Sequence, residues 1–319
     1  MLATIRFASL ALLSVATVAG AQDFPARSLR VVTIFSPGSA SDLHARFIAQ
    51  RLSPQLGQPV IVENRPGGGG LIATREVLRT QPYGYSLLYS TPEVVINPFA
   101  FKDPQYKLDD LAVVGPLGLG AYSLLVNAAL PVRSVPELIA HARANKGKLN
   151  YGSLGPTSGA TILAERFKFA AKLDMEGIPF KGGDAMALAL TSGDIHLYFA
   201  TLYSGMQRMK QPQIRGLAVS STDRMKSAPD LPTLKEAGVD VSFTYWSAVF
   251  VPAVTPRASL TRLQEAMKSV TSAPDTRELL AKQAIETWTG TADQFATFMR
   301  KDAAEYQADY RRLNIPLMD

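Results

Sequence analysis

The sequence predicts an α/β protein built as two units that face each other across a ligand cleft and are joined by two crossing strands. Three observations carry that expectation. Short apolar, β-branched runs alternate with helical segments along most of the chain, the pattern of parallel strands covered by helices. A strand followed by a small turn rich in Ser, Thr and Gly and then by a helix start occurs near residue 35 and again near residue 153. Two further apolar runs, Leu111–Asn127 and Tyr245–Val251, sit where the chain would pass from one unit to the other and back. On this reading residues 22–122 with 247–319 form a discontinuous first domain and residues 123–246 form the second.

Residues 1–21 read as a targeting segment. Arg6 supplies the basic start, Phe7–Val18 the apolar stretch, and Ala19-Gly20-Ala21 the small-residue cleavage signal. No other run approaches the roughly 18 apolar residues that a membrane span needs. The expectation is an exported, periplasmic protein cleaved after Ala21. The remaining chain, just under 300 residues, suits two domains that each bury a core. It contains no cysteine, so neither disulfides nor thiol chemistry nor Cys-ligated metal enters the argument. The net charge is +6, with Lys and Arg interleaved among Asp and Glu rather than clustered. Without a basic run or an aromatic RNA-binding motif, nucleic acid is not an expected partner.

Leu29–Phe35 is the first strand, Ser36–Ser41 a turn, and Asp42 onward a helix with Ser39 or Ser41 as N-cap. A strand entering a helix through small, uncharged residues leaves backbone N–H groups free at the positive end of the helix dipole, which suits an anion. A second strand, Gln58–Glu63, leads through the glycine run Gly67–Gly70 into a helix over 71–80. That run lacks the Lys-Ser/Thr of a phosphate loop, so its role is a turn that lets backbone approach a neighbouring loop. Tyr85–Ser90 is a third strand. Beyond the first crossing come a helix opened by Ser134, a strand over 149–152, the turn Ser153–Gly159 and a helix over 160–169. A strand over 175–180, the glycine turn at Gly182-Gly183, a helix over 185–191 and strands over 195–200 and 214–220 complete the second unit. The tail is helical over 259–270, 276–283 and 292–311. In open α/β sheets ligands bind outside the carboxyl ends of the strands, so both small-residue turns would face one ligand.

Catalytic patterns are absent. His44, His141 and His196 lie in separate elements without metal-ligand spacing, and His44 and His141 read as solvated helix residues. There is no G-x-S-x-G elbow and no Ser-x-x-Lys, and no carboxylate pair stands out. The expectation is a binding protein without a cofactor. The alternative is an enzyme on a binding-protein-like scaffold acting on a small carboxylate.

Several runs resemble one family. Phe35–Asp42, Val62–Gly70, Pro82–Tyr85, Gly147–Ser153, Ile178–Gly183 and Leu231–Gly238 are similar, in order and spacing, to the Bug-type extracytoplasmic solute receptors of tripartite tricarboxylate transporters. The resemblance implies a two-domain periplasmic-binding-protein (Venus-flytrap) fold that closes, as a monomer, on a small organic acid and delivers it to membrane transporter subunits or a sensor kinase. In that family the loops matching Phe35–Asp42 and Ser153–Gly159 hold carboxylates through backbone amides, hydroxyls and water. Ligand contacts are therefore expected from Phe35, Ser36, Gly38, Ser39, Ala40 and Asp42, and from Ser90 and Thr91 after the third strand. The facing unit would supply Ser153, Gly155, Pro156, Thr157, Ser158 and Gly159, the turn Phe180, Lys181 and Gly182, and Ala200, with Trp246 on the return crossing. Ser36 and Ser39 stand where the family usually has Pro and Gly, Thr161 where it often has His, and His196 and Ala200 where it often has acids. His196 is expected at a helix–strand junction away from the ligand.

The cleavage signal gives a direct expectation: the exported protein begins at Gln22. Intact-mass measurement checks it, and a mass that retains residues 1–21 would mean a membrane-anchored form.

Overall fold

The computed structural model describes residues 24–319, so the expected leader and cleavage site lie outside the described residues. The chain runs β1 (Leu29–Thr33), α1 (Ala40–Leu56), β2 (Val60–Asn64), α2 (Leu71–Arg79), β3 (Ser86–Ser90), α3 (Glu93–Ala100) and β4 (Leu111–Gly120). It continues through β5 (Tyr122–Asn127), α4 (Val135–Ala144), β6 (Asn150–Ser153), α5 (Gly159–Ala170), β7 (Glu176–Pro179) and α6 (Gly183–Ser192). Then follow β8 (Leu197–Thr201), α7 (Leu202–Arg208), β9 (Ile214–Val219), β10 (Tyr245–Pro252), α8 (Arg257–Ser272), α9 (Pro274–Lys282), β11 (Glu286–Thr287) and α10 (Ala292–Arg312).

The strands form two mixed sheets. The first has six strands in the order β11-β4-β10-β3-β1-β2, and the second five in the order β7-β6-β8-β5-β9. In the first, β1 runs parallel to β2 and β3, as the alternation of strands and helices requires, while β10 is antiparallel to β3 and β4. In the second, β6 is parallel to β7 and β8, and β5 is antiparallel to β8 and β9. The chain changes sheets at Ala121, between β4 and β5, and returns just ahead of Tyr245. The apolar run 245–251 is thus a full strand of the first sheet rather than the crossing itself.

Both faces of the first sheet are covered. Leu29, Val31, Leu87 and Val249 pack under α1 and α8, with Ile48, Leu52, Leu263 and Met267. The opposite face packs Val32, Leu88 and Phe250 against Val95, Ile96 and Phe295. Strands buried on both sides read as continuous apolar runs, which is why β1, β3 and β10 are legible without alternation.

Two helices were not expected from the residues. The segment Glu93–Ala100 contains Val94-Val95-Ile96, Asn97 and Pro98, all weak or adverse for a helix, yet its buried face on the core makes it α3. The segment Leu202–Arg208 is a short α7 containing Gly205, whose missing side chain makes room for Ser123 of β5.

Trp246 is completely buried, stacked edge-on to Phe295 at 5.3 Å, and its indole N–H donates to Asp302 Oδ2 at 2.8 Å. Burial pushes the Asp302 carboxyl up to about 6, although the indole N–H pulls the other way. The folded protein therefore holds this proton more tightly than the unfolded chain, where an aspartate titrates near ~3.9. The stability this gives is complete below that value and is lost as pH rises through about 6. Asp302→Asn, which keeps an acceptor for Trp246, is expected to stabilise the protein by about 2 kcal/mol at pH 8 and to be nearly neutral at pH 4, read from urea midpoints. Parallel stability profiles for the two proteins would show instead that Asp302 titrates as it does when unfolded.

Candidate functional site

The carboxyl ends of β1 and β3 face those of β6 and β8 across a cavity of ≈ 180 Å³. One wall comes from the first sheet and its helices: Phe35, Ser41, Thr91, Glu93 and Tyr245. The other comes from the second: Tyr122, Leu154, Ser158 and Ala160, then Gly183 and Met186, then Tyr198–Thr201 and Ser204. A cavity of ≈ 310 Å³ beside α8, lined by Lys268, Arg277 and Trp288 among others, draws on the first unit alone and does not lie between the sheets.

Helix starts dominate the cleft. Ser41 stands in the first turn of α1, Glu93 opens α3, Ser158 caps α5 and Gly183 opens α6. The first N–H groups of a helix have no intrahelical acceptor and sit at the positive end of its dipole. At α5 and α6 no side chain caps the start, so Ser158 keeps its hydroxyl for other use. No Lys, Arg or His is among the lining residues. The polar groups are the hydroxyls of Ser41, Thr91, Ser158, Thr201, Ser204 and three tyrosines, with one carboxyl, Glu93. Burial pushes the Tyr122, Tyr198 and Tyr245 hydroxyls up, Tyr198 to about 12, so all three remain neutral donors near neutral pH. Ser41 Oγ and Tyr245 Oη lie 3.5 Å apart across the floor of the cleft. Thr91 Oγ1 donates to Glu93 Oε2, and burial pushes the Glu93 carboxyl up despite that bond.

Of the expected site residues the cavity gathers Phe35, Thr91, Ser158 and Ala200. The others do not line it. Ser36, Gly38 and Ala40 are exposed on the first turn, Ala40 beside Ser41 in a small pocket shared with Ala121 and Thr201, and Ser39 spends its oxygen capping α1, accepting from Asp42 N at 3.2 Å. Asp42 is only 1 % exposed and braces the turn. Its oxygens accept from Gly38 N at 2.8 Å, Arg46 Nε at 3.0 Å and Asn64 Nδ2 at 2.6 Å, and these hydrogen bonds hold its carboxyl below the usual range against the cost of burial. Ser90 is fully buried at the end of β3.

In the facing loop, Ser153 Oγ accepts from Gly155 N at 3.1 Å and pairs with Thr161 Oγ1 at 3.2 Å, so it shapes the turn from beneath. Gly155 sits at φ +92° on the open side, and Pro156 offers its carbonyl to Tyr310. Thr157 packs against Gly69, where a Cβ would fall 2.4 Å from Thr157 Oγ1; this is the close backbone approach that the glycine run permits. Gly159 lies under Phe243 and Tyr122. Phe180 packs on the cluster of Met186 and Tyr198, Lys181 is exposed, and Gly182 caps α6 one residue short of the cavity. Trp246 faces the core on the side of β10 opposite Tyr245, because successive strand residues point to opposite faces.

The residues alone did not single out Glu93, Ser204 or Tyr198. Tyr198 and Thr201 sit on β8, whose carboxyl end was a readable signal, whereas Glu93 and Ser204 belong to the two unexpected helices. The histidines stay outside the cavity. His44 is buried rather than solvated, bonded to Gln283 Oε1, and burial lowers its pKa. His196 Nδ1 lies 2.8 Å from Asn150 Oδ1, just before the start of β8 and about 13 Å along the strand from Ala200.

The chain matches the family model described as "Tripartite tricarboxylate transporter family receptor", TctC, over residues 44–314. It is 33% identical over 297 residues to a UPF0065 protein of Bordetella pertussis, covering 92% of each chain. It is 28% identical over 307 residues to Protein BugT of the same organism, covering 95% of this chain and 94% of that one. Among solved structures, R. palustris Rpa4515 with adipate is similar at a TM-score of 0.85 and 27% identity, covering 93% of this chain and 100% of that chain. The two-sheet architecture, the cleft between strand ends and these similarities over nearly the whole chain agree: the protein belongs to the TctC family of tripartite tricarboxylate transporter receptors, the solute-binding proteins to which the Bug proteins are related.

Proposed function

We propose that this protein is an exported receptor that, as a monomer, captures a small organic acid between its two sheets and hands it, unaltered, to a membrane transporter of the tripartite tricarboxylate type. The observation that carries this reading is the composition of the cleft: hydroxyls and uncapped helix starts, without a basic side chain among the lining residues. Neutral donors at a helix start hold a carboxylate without burying a matching Arg or Lys. The carboxylate would sit at the starts of α5 and α6, with Ser158 and Thr201 beside it, while Phe35 and Leu154 wall the carbon skeleton. A relative of similar fold, Rpa4515, has adipate in its structure, which supports an acid ligand here as well.

A thermal-shift panel of mono-, di- and tricarboxylates including adipate tests the reading. A bound acid at a hundred times its Kd should raise stability by about 2.7 kcal/mol. Calorimetric titration with the best acid then compares the wild type with two variants. Ser158→Ala should weaken binding by about 0.5–1.5 kcal/mol through the lost hydroxyl. Gly183→Val should weaken it further at unchanged fold stability, since a Cβ there meets no heavy atom within 4 Å and Gly183 lines the cavity. Unaltered affinity in both variants, or a best ligand without an acidic group, would overturn the proposed site.

A further inference from the structure

We propose that the captured acid is zwitterionic, carrying a protonated nitrogen beside its carboxylate, and that Glu93 is the specificity-determining residue that receives this nitrogen. The inference rests on the organic-acid reading of the cleft. Glu93 is the sole carboxyl among the lining residues, and no Lys, Arg or His lines the cavity with it. What reaches it from the protein is the Thr91 hydroxyl and its own backbone N–H. The titratable groups facing it from neighbouring elements are Tyr122 on β5, Tyr245 on β10 and Tyr306 on α10, all held neutral by burial with the Glu93 charge adding to the effect.

A half-buried carboxylate without a cation is costly, and the cavity lining supplies none. A ligand ammonium would supply it. The aromatic surroundings favour the same occupant: Phe35, Tyr122 and Tyr245 line the same cavity as Glu93, and aromatic rings attract a cation. The opposite ends of the cleft then have opposite preferences. The starts of α5 and α6 suit the carboxylate, and Glu93, on the other wall, suits the nitrogen. A plain dicarboxylate would instead place like charge beside Glu93 and drive its protonation. An acid at the start of α3 also favours that helix. That structural role alters stability and leaves ligand choice unaltered, which separates the two.

The test uses pairs of acids with one carbon skeleton: succinate and aspartate, glutarate and glutamate, hexanoate and 6-aminohexanoate. Each is titrated calorimetrically at pH 7.5 into the wild type and Glu93→Gln. In at least one pair the amino member should bind the wild type tenfold or more tightly than its plain partner. Glu93→Gln should bring that ratio close to one while the plain acid binds equally well or better. Titration of the wild type in two buffers of different ionisation heat, which needs no variant, should show no proton uptake with the amino acid, because the ammonium favours the charged form of Glu93. Plain acids that bind better and take up a proton would overturn the proposal, making Glu93 a neutral donor to a second carboxylate. A preference for the amino member that survives Glu93→Gln would overturn it too. If neither class binds, while a wider panel of acids also fails, the receptor reading itself falls and this inference with it.

Discussion

Where β4 leaves the first sheet it still runs beside the returning β10, and Gly120 opposite Tyr245 is the last pair they share. One residue later β5 begins in the second sheet, tied to the return by a buried hydroxyl. Tyr122 N donates to Ser220 Oγ at 2.9 Å, and Ser220 Oγ donates to Phe243 O at 2.6 Å. The rings of Tyr122, Phe243 and Tyr245 pack edge-on around the same point. With both crossings side by side, the carboxyl ends of the parallel strands in each sheet face one another. The cleft, its helix starts and its lack of basic groups all depend on that arrangement.

A second tie runs along α10. Arg166 of α5 lies against Asp309 of α10 at 2.5 Å with both side chains buried, and its guanidinium stands over the rings of Phe243 and Tyr306. Tyr310 of the same helix donates to Pro156 O, in the loop that leads into α5. A buried pair of this kind gives little net stability by itself, because desolvation offsets the attraction, but losing one partner leaves the other charge stranded. Its effect here is positional. It seats the start of α5 opposite the first unit, and the contact of Gly69 with Thr157 fixes the same loop from the other side.

The division of labour among charges follows from these constraints. Asp42 carries a full charge next to the cleft and is neutralised by a backbone amide, an amide side chain and Arg46, so its effect is to shape the first turn. Glu93 lines the cleft with no cation among the lining residues, and burial pushes its carboxyl up. Two carboxylates on neighbouring strand ends thus have unlike roles, set entirely by what surrounds them.

Much of this was legible in the chain itself. Buried strands such as Val31–Thr33 and Leu87–Tyr89 are continuous apolar runs, the cap Ser134 announces α4, and glycine marks the turns, because these signals are local and physical. The general place of the ligand, at two small-residue turns before helices, follows from the same local rules. Which side chains meet there does not. Phe35 and Tyr245 enter the cleft while Ser36 and Trp246 turn away, since strand pleat and turn geometry decide orientation. The helix carrying Glu93 runs against its own propensity through Val94, Ile96 and Pro98, and only packing on the core makes it a helix. The amino-acid sequence by itself determined the two-unit α/β fold and the family, because those rest on short-range pattern and spacing. Tertiary structure alone decided that a single acid would line the cleft with no basic side chain in the same lining, because that depends on what residues distant in the chain bring to its side.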